Sequence, residues 1–379
     1  MDRVDVAIIG GGIAGASLAW FLGGQQSVAI LEAEDQPGYH ATARSAAEFV
    51  LNYNPPAVSA LARAARPFFD NPPEGFAAVP LLVPRGGLVI AHEEDAALFE
   101  RQVAELAPRV PGLAVLTRAE AVARMPILDP DSFAHAYFDP EYWDIEADAL
   151  LQGYLRGARH RGVALRLKSG VLDLDRQGGL WRIETASGPL LAETVVNAAG
   201  GWADRVAMLG GVAPLGITPL RRTAILVDLP DGIDASRLPE LNDIADAFYF
   251  KPDGGRLLVS PADETPCEPG DVQPEEIDIA WAVHHLESHS SLGVKRVAKA
   301  WAGMRTFSPD RLPVVGYDPQ APGFFWLAGQ GGFGILTSPA LGALAAALIR
   351  HHPVPAHLAA EGITEQTFSP ARFGTARGA

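Results

Sequence analysis

Cysteine is almost missing from this chain of 379 residues: Cys267 is the single copy, in a Pro/Glu/Gly-rich stretch. One thiol excludes a disulfide framework and a cysteine-rich metal site. Positive charge is also scarce, with 30 Lys and Arg against 45 Asp and Glu and a formal net charge of −15. Phosphate backbones want a basic face, so nucleic acid is not an expected partner. Long apolar runs are absent too. Leu341–Ile349 is too short to span a bilayer and reads as a buried helix, so no transmembrane segment is expected. Only Met-Asp-Arg precedes the first apolar run, and the expectation is a cytoplasmic protein, with peripheral membrane contact left open. His40, His135, His160, His284 and His285 lack metal-ligand spacing with acids or cysteines, so they read as structural or surface residues and no metal is expected. No serine sits in a nucleophile-elbow motif.

What is present begins at the fourth residue. The apolar run Val4–Ile9 leads into Gly10-Gly11-Gly12-Ile13-Ala14-Gly15, and Glu32 closes the next apolar run, Val28–Leu31. Gly-x-Gly-x-x-Gly between a strand and a helix, with an acid one βαβ unit later, is a dinucleotide fingerprint. Gly10 makes the turn, Gly12 lets a pyrophosphate approach the backbone, and Gly15 lets helix and strand pack closely. The helix N-terminus faces the phosphates, and Glu32 is placed to bond a ribose. The length suits two domains, and 48% hydrophobic with 20% charged residues suits a soluble globular enzyme.

Downstream, Val58–Phe69 has helical spacing, Leu81–Ile90 reads as two short strands around Pro84-Arg85-Gly86-Gly87, and Asp95–Ala107 reads as a helix. The pattern predicts a helix over Asp144–Arg161, stopped by Gly162, and strands at Val163–Lys168, Gly170–Asp175 and Leu180–Thr185. A strand ending in Val195-Val196-Asn197-Ala198-Ala199-Gly200 looks like a return to the nucleotide domain. Arg222–Leu229, Phe248–Lys251 and Arg256–Ser260 read as antiparallel strands, and Pro274–His285 as a helix. The strand Phe324–Ala328 precedes a second glycine cluster, Gly329–Gly334, and a helix from about Thr337. Trp301, Phe324, Phe325 and Trp326 read as core. This order predicts an α/β (α+β) fold with two interleaved domains: a Rossmann-like nucleotide domain over 1–80, 145–212 and 303–379, and an antiparallel-sheet substrate domain over 81–144 and 213–302.

The stretches GGGIAGAS, QPGYHATARSAA, ADALLQGYLRGAR, VVNAAGGW, FYFKPD, WAGMRTFSPD and FFWLAGQGGFGI carry a resemblance over nearly the whole length. The chain resembles the D-amino-acid oxidase superfamily of FAD-dependent oxidoreductases, and within it the bacterial D-arginine dehydrogenases. The resemblance implies non-covalent FAD in a fold of the glutathione-reductase type. The cofactor residues it implies are Gly10, Gly12, Ile13, Ala14, Gly15, Glu32 and Ala33. To these it adds the loop Thr42, Arg44, Ser45 and Ala46, then Val171, Ala199, Gly200, Trp202 and Gly303, and finally Gly331, Gly332, Phe333, Gly334 and Ile335. It further implies that Arg222 and Arg305, helped by Tyr53 and Tyr249, grip a substrate α-carboxylate, and that Gly332 offers a carbonyl to the amine. Bidentate guanidinium–carboxylate geometry suits that role.

The implied reaction is hydride transfer from Cα of a D-amino acid, giving a 2-oxo acid and ammonia after hydrolysis. The expected partners are the amino-acid substrate and an electron acceptor: a quinone, a dye or oxygen. The chain departs from the resemblance at Glu48, where a histidine is expected, and at Gly87, where an acid that holds a cationic side chain is expected. These departures point toward neutral or apolar side chains. Glu48 has two readings, a partner for a substrate cation or a plain i,i+4 partner of Arg44. Asp243 and Asp246 could supply charge or form a solvated lid. Oxidation of N-methylated amino acids, of 2-hydroxy acids, and flavin binding without turnover are the rival readings.

Overall fold

A computed structural model describes residues 2–52 and 55–374. Its first sheet has eight strands. The parallel part runs in the order Phe324–Ala328, Leu190–Asn197, Asp2–Ile9, Val28–Leu31 and Ala164–Arg166. Val28–Leu31 and Phe324–Ala328 are wholly apolar and buried, as parallel strands covered on both faces must be. On one side Ile13–Leu22 and Gly334–Ile349 pack together with the helices Pro56–Asp70 and Ala147–His160. On the other, Ala203–Leu209 and the hairpin Val171–Gln177/Leu180–Thr185 cover the sheet. Phe324, Phe325 and Trp326 are fully buried between these layers.

The second sheet has ten strands. It is antiparallel except where Glu240–Asp243 runs parallel to Gly87–Ala91. Thr218–Val227 and Val297–Phe307 form its longest pair, with Arg222 opposite Gly303 and Leu220 opposite Arg305. The strand Val297–Phe307 crosses the expected domain boundary at 302/303. It pairs along its length with Thr218–Val227, and its last two residues also pair with Gln330–Gly331, which lies just after the nucleotide-sheet strand Phe324–Ala328.

Two expectations need correction. The helix expected over Asp144–Arg161 begins only at Ala147. Tyr142–Ile145 is a strand, with Trp143 and Ile145 buried and Tyr142 and Asp144 on the other face. It joins Glu48–Val50 and Leu82–Pro84 in a third, three-stranded sheet. Alternation over four residues was hidden by the acidic run that follows, which looks like a first helical turn. The last long helix starts at Gly334 and not near Thr337, so the second glycine cluster runs directly into a helix N-terminus.

Candidate active site

A cavity of about 400 Å³ runs from the glycine loop to the junction of the two large sheets. At one end Gly10 has φ +107°, and a Cβ there would lie 2.4 Å from the carbonyl oxygen of Ala198. A Cβ on Gly15 would lie 2.0 Å from the Gly10 oxygen. Helix and strand therefore touch backbone to backbone, which only glycine permits. At Gly12 a Cβ would meet only Thr42 Oγ1, at 3.4 Å, so its face is free for a phosphate. Thr42 Oγ1 accepts a hydrogen bond from the Ile13 N–H at 3.1 Å. Glu32 is buried and accepts from Gly11 N at 2.7 Å and Glu34 N at 2.9 Å.

Two helix N-termini open on this one cavity. Neither Ile13–Leu22 nor Gly334–Ile349 has a side-chain cap, and Gly12, Ile13, Gly334 and Ile335 all line the space. Apart from the Ile13 N–H, which Thr42 accepts, their first-turn N–H groups and dipoles favour negative charge at both positions. A pyrophosphate at the first and a flavin ring carrying charge at N1/O2 by the second satisfy this donor set, so the residues fit FAD.

The expected cofactor residues line the cavity with two exceptions. Gly15 serves the helix–strand contact, and Phe333 turns away to pack against Phe307 and the core. Arg44 does not pair with Glu48. It bonds the carbonyls of Val272 and Ala302, at 3.0 and 3.1 Å, and the carboxylate of Asp271. The i,i+4 reading fails because residues 45–47 are not helical: Ser45 is extended and Ala47 has φ +53°. His40 is no plain surface residue: it lines the cavity, packs its ring 4.6 Å from that of Trp202 and pairs with Glu34 at 2.9 Å.

At the other end the strand alternation separates two neighbouring arginines. Arg221 points into an acidic nest of Asp263, Asp278 and Glu275. Arg222 faces the opposite way, into the cavity, where Arg305 lies diagonally across the strand pair on the same face. Burial and the nearby Arg305 guanidinium hold Arg222 below its ordinary pKa. Its Nη2 reaches Glu264 at 3.2 Å, and Arg311 bonds that same carboxylate at 2.8 and 3.0 Å. Its Nε is buried without an acceptor among the described residues. Two like charges beside a buried donor that has no acceptor among the described residues favour negative charge at this end. Gly332 leans on this pair, since a Cβ there would lie 2.9 Å from Arg305 Nε. Tyr249 and Glu48 also line this end, whereas Tyr53 lies outside the described residues.

A residue profile of the family described as FAD dependent oxidoreductase matches residues 5–348. The chain belongs to this FAD-dependent oxidoreductase family. Glycine oxidase of Geobacillus kaustophilus is 26% identical over 381 residues, covering 96% of this chain and 97% of the relative. Its crystal structure superposes with a TM-score of 0.83 at 25% identity, covering 98% and 99% of the two chains. Mitochondrial dimethylglycine dehydrogenase of Rattus norvegicus is 26% identical over 391 residues, 93% of this chain but 44% of that longer protein. L-Proline dehydrogenase from P. horikoshii shares the fold, with a TM-score of 0.81 at 19% identity. The cavity described above suits the cofactor of this FAD-dependent oxidoreductase. Among the described residues no helix is long and apolar enough to cross a membrane, and no cluster of His, Cys, Asp and Glu could hold a metal.

Sequence reasoning missed the groups behind Glu48. Lys251 and Glu240 are 5% and 1% exposed. The register that sets Leu241 opposite Phe250 brings Glu240 and Lys251 side by side. Lys251 Nζ lies 3.0 Å from Asp144 Oδ1 and donates to the carbonyls of Ala46 and Ala47. Arg85 bonds Asp144 from the far side, through Nε at 2.9 Å. Burial pulls the Lys251 ammonium down, but Glu240, Asp144 and Glu48 outweigh it and hold it above its usual value. The one local hint was a lysine inside the apolar run Phe248-Tyr249-Phe250.

Proposed function

We propose that this FAD-dependent oxidoreductase oxidises small amino acids at Cα, taking D-amino acids or glycine with neutral side chains. The observation that carries the reading is the Arg222/Arg305 pair with its unused buried Nε, beside Tyr249 and the Gly332 backbone. A carboxylate bridging the two guanidinium groups would relieve their mutual repulsion and satisfy the donor. FAD supplies the hydride acceptor. The chain's own residues anchor the carboxylate, present the Gly332 carbonyl to the amine, and fix Cα relative to the ring, so most of their contribution is orientation. The imino acid so formed hydrolyses to a 2-oxo acid and ammonia.

Support for neutral side chains comes from Gly87. A Cβ there would lie 2.8 Å from the Tyr142 ring, so the space that an acid at this position would need is taken by an aromatic face. The name of one relative, dimethylglycine dehydrogenase, favours a second reading in which the amine is N-methylated. Anaerobic mixing of the FAD-loaded protein with glycine, sarcosine, D-alanine, D-leucine, D-arginine and a 2-hydroxy acid separates the readings. Flavin bleaching by D-alanine or D-leucine is expected. Fastest bleaching by sarcosine selects the second reading, and D-arginine far ahead of the others overturns the preference for neutral side chains. Reoxidation by air or by a quinone or dye then identifies the acceptor class.

A further inference from the structure

One carboxylate of the chain itself already touches the clamp. Glu264 Oε1 lies 3.2 Å from Arg222 Nη2. The backbone around Glu264 is fixed on both sides. Asp263 accepts from the Thr223 N–H at 2.6 Å and from Thr223 Oγ1 at 3.1 Å, and Thr265 sits in register opposite Arg221. Ser260 donates to the Thr223 carbonyl at 2.6 Å, and Ala262 turns the chain with φ +50°. These contacts tie residues 260–265 to the strand Thr218–Val227, so the part of Glu264 left to move is its side chain.

The second partner of Glu264 holds it differently. Arg311 Nη2 meets both oxygens of the carboxylate, at 2.8 and 3.0 Å. Arg311 stands in a turn with φ +62°, its N–H donates to the Ser308 carbonyl at 2.9 Å, and its guanidinium lies 3.7 Å from the centre of the Phe307 ring. Phe307 is buried and packs against Gly331, where a Cβ would lie 2.2 Å from the ring. The cation–π contact orders the Arg311 guanidinium independently of Glu264. The carboxylate is thus shared unequally. It makes two short contacts to a half-exposed arginine and one longer contact to Arg222, which is 12% exposed.

Arg222 and Arg305 share one face of the strand pair, and a carboxylate beside them offsets their repulsion. Glu264 supplies one such group from within the chain, and an amino acid supplies another. Two carboxylates against one guanidinium repel each other, and the one with a second cation at hand yields more readily.

We propose that Glu264 is a built-in counter-ion of the carboxylate clamp, which competes with the substrate α-carboxylate for Arg222 and passes to Arg311 when that carboxylate binds. Glu264 touches no reacting atom. It acts through Arg222 and sets how tightly any carboxylate, substrate or 2-oxo acid product, is held. Tighter holding of both would lower KM and slow product loss without helping hydride transfer, so a competitor inside the chain favours turnover. The inference rests on the amino-acid reading above.

Calorimetric titration of the full-length FAD-loaded protein with pyruvate, the 2-oxo acid of D-alanine, tests it. Glu264→Gln keeps an amide oxygen for both arginines and removes the charge, so its Kd should fall by roughly fivefold, the size of a partly exposed charge contact. Arg311→Gln takes away the alternative partner and leaves Glu264 to Arg222 alone, so its Kd should rise by roughly threefold. The double variant should bind as Glu264→Gln does, because Arg311 acts through Glu264. KM for the fastest amino acid of the panel should follow the same order, lowest in Glu264→Gln and highest in Arg311→Gln. A plain scaffolding role for Glu264 predicts the opposite sign. Pyruvate bound no more tightly by Glu264→Gln than by wild type overturns the proposal, and so does an Arg311→Gln effect that persists in the double variant. Arg222→Met in the same titration keeps the two readings apart. Wild-type affinity there, or no binding by wild type, overturns the clamp itself. Weak binding there, with Glu264→Gln equal to wild type, leaves the clamp standing and removes the counter-ion.

Discussion

The two ends of the cavity are built on opposite principles. The nucleotide end is mostly backbone. Gly10, Gly12 and Gly15, two uncapped helix N-termini and one buried acid, Glu32, make a surface that binds through N–H groups and close approach. The substrate end is mostly buried charge. Arg222, Arg305, Glu48, Glu240, Lys251 and Asp144 come from six different strands and meet only when the ten-stranded sheet and the three-stranded one pack. The first kind of site tolerates almost no added volume. The second is limited above all by an unbalanced charge.

That contrast can be broken in stages. The largest effect is expected at the backbone end, from Gly15→Val. A Cβ already meets the Gly10 oxygen at 2.0 Å, so the glycine turn must move, and FAD binding, read from flavin absorbance after gel filtration, should be lost. A variant that binds FAD as wild type does would show that the close approach is not needed. Next comes Lys251→Met at the charged end. It leaves the buried Glu240 without its neighbouring cation, while Asp144 keeps Arg85, and removing one partner of a buried ion pair costs about 3–5 kcal/mol. Chemical denaturation should show that loss, and adding Glu240→Gln should return a good part of it.

A smaller effect concerns pH. Asp139, in register opposite Gly87, is buried, and that burial raises its carboxyl to about 6 from 3.8. A folded-state pKa above the unfolded value means that the native state binds the extra proton. The contribution is full below pH 3.8 and is lost as pH rises through about 6. Asp139→Asn should flatten this fall, worth on the order of 2 kcal/mol between pH 4 and 7 in denaturation curves. An unchanged slope would place the titration elsewhere. The smallest effect belongs to the surface: Arg3→Ala breaks an exposed pair with Glu193 and should change stability by less than about 1 kcal/mol.

The contrast also explains what could be read in advance. The strand–turn–helix at the start, the return strand ending at Gly200 and the second glycine cluster are local patterns, and local patterns survive in a one-dimensional string. Arg222 and Arg305 stood out only through family resemblance, because nothing adjacent in sequence separates Arg222 from Arg221. The difference is one step of strand alternation, which sends Arg221 to Asp278 and Arg222 to the cavity. Glu240 and Asp144 were invisible. Each is a single acid whose meaning depends on register with a distant strand, and Asp144 was absorbed into a helix that starts three residues later. Lys251 offered more, being one of four lysines in the chain and following directly on Phe248-Tyr249-Phe250. One of the two readings of Glu48, a partner of Arg44, fails because i,i+4 spacing means contact only on a helix, and this segment is not one.

The carboxylate clamp is the claim on which the substrate reading depends, and Arg222→Met tests it most directly. The FAD-loaded wild type and variant are titrated with the 2-oxo acid of the best substrate, following the flavin spectrum. Loss of a bidentate charged contact, about 3 kcal/mol, predicts a Kd raised by roughly 100-fold, with FAD content unchanged. Equal affinity in the two proteins would contradict the clamp and, with it, the assignment of this end of the cavity to an amino acid.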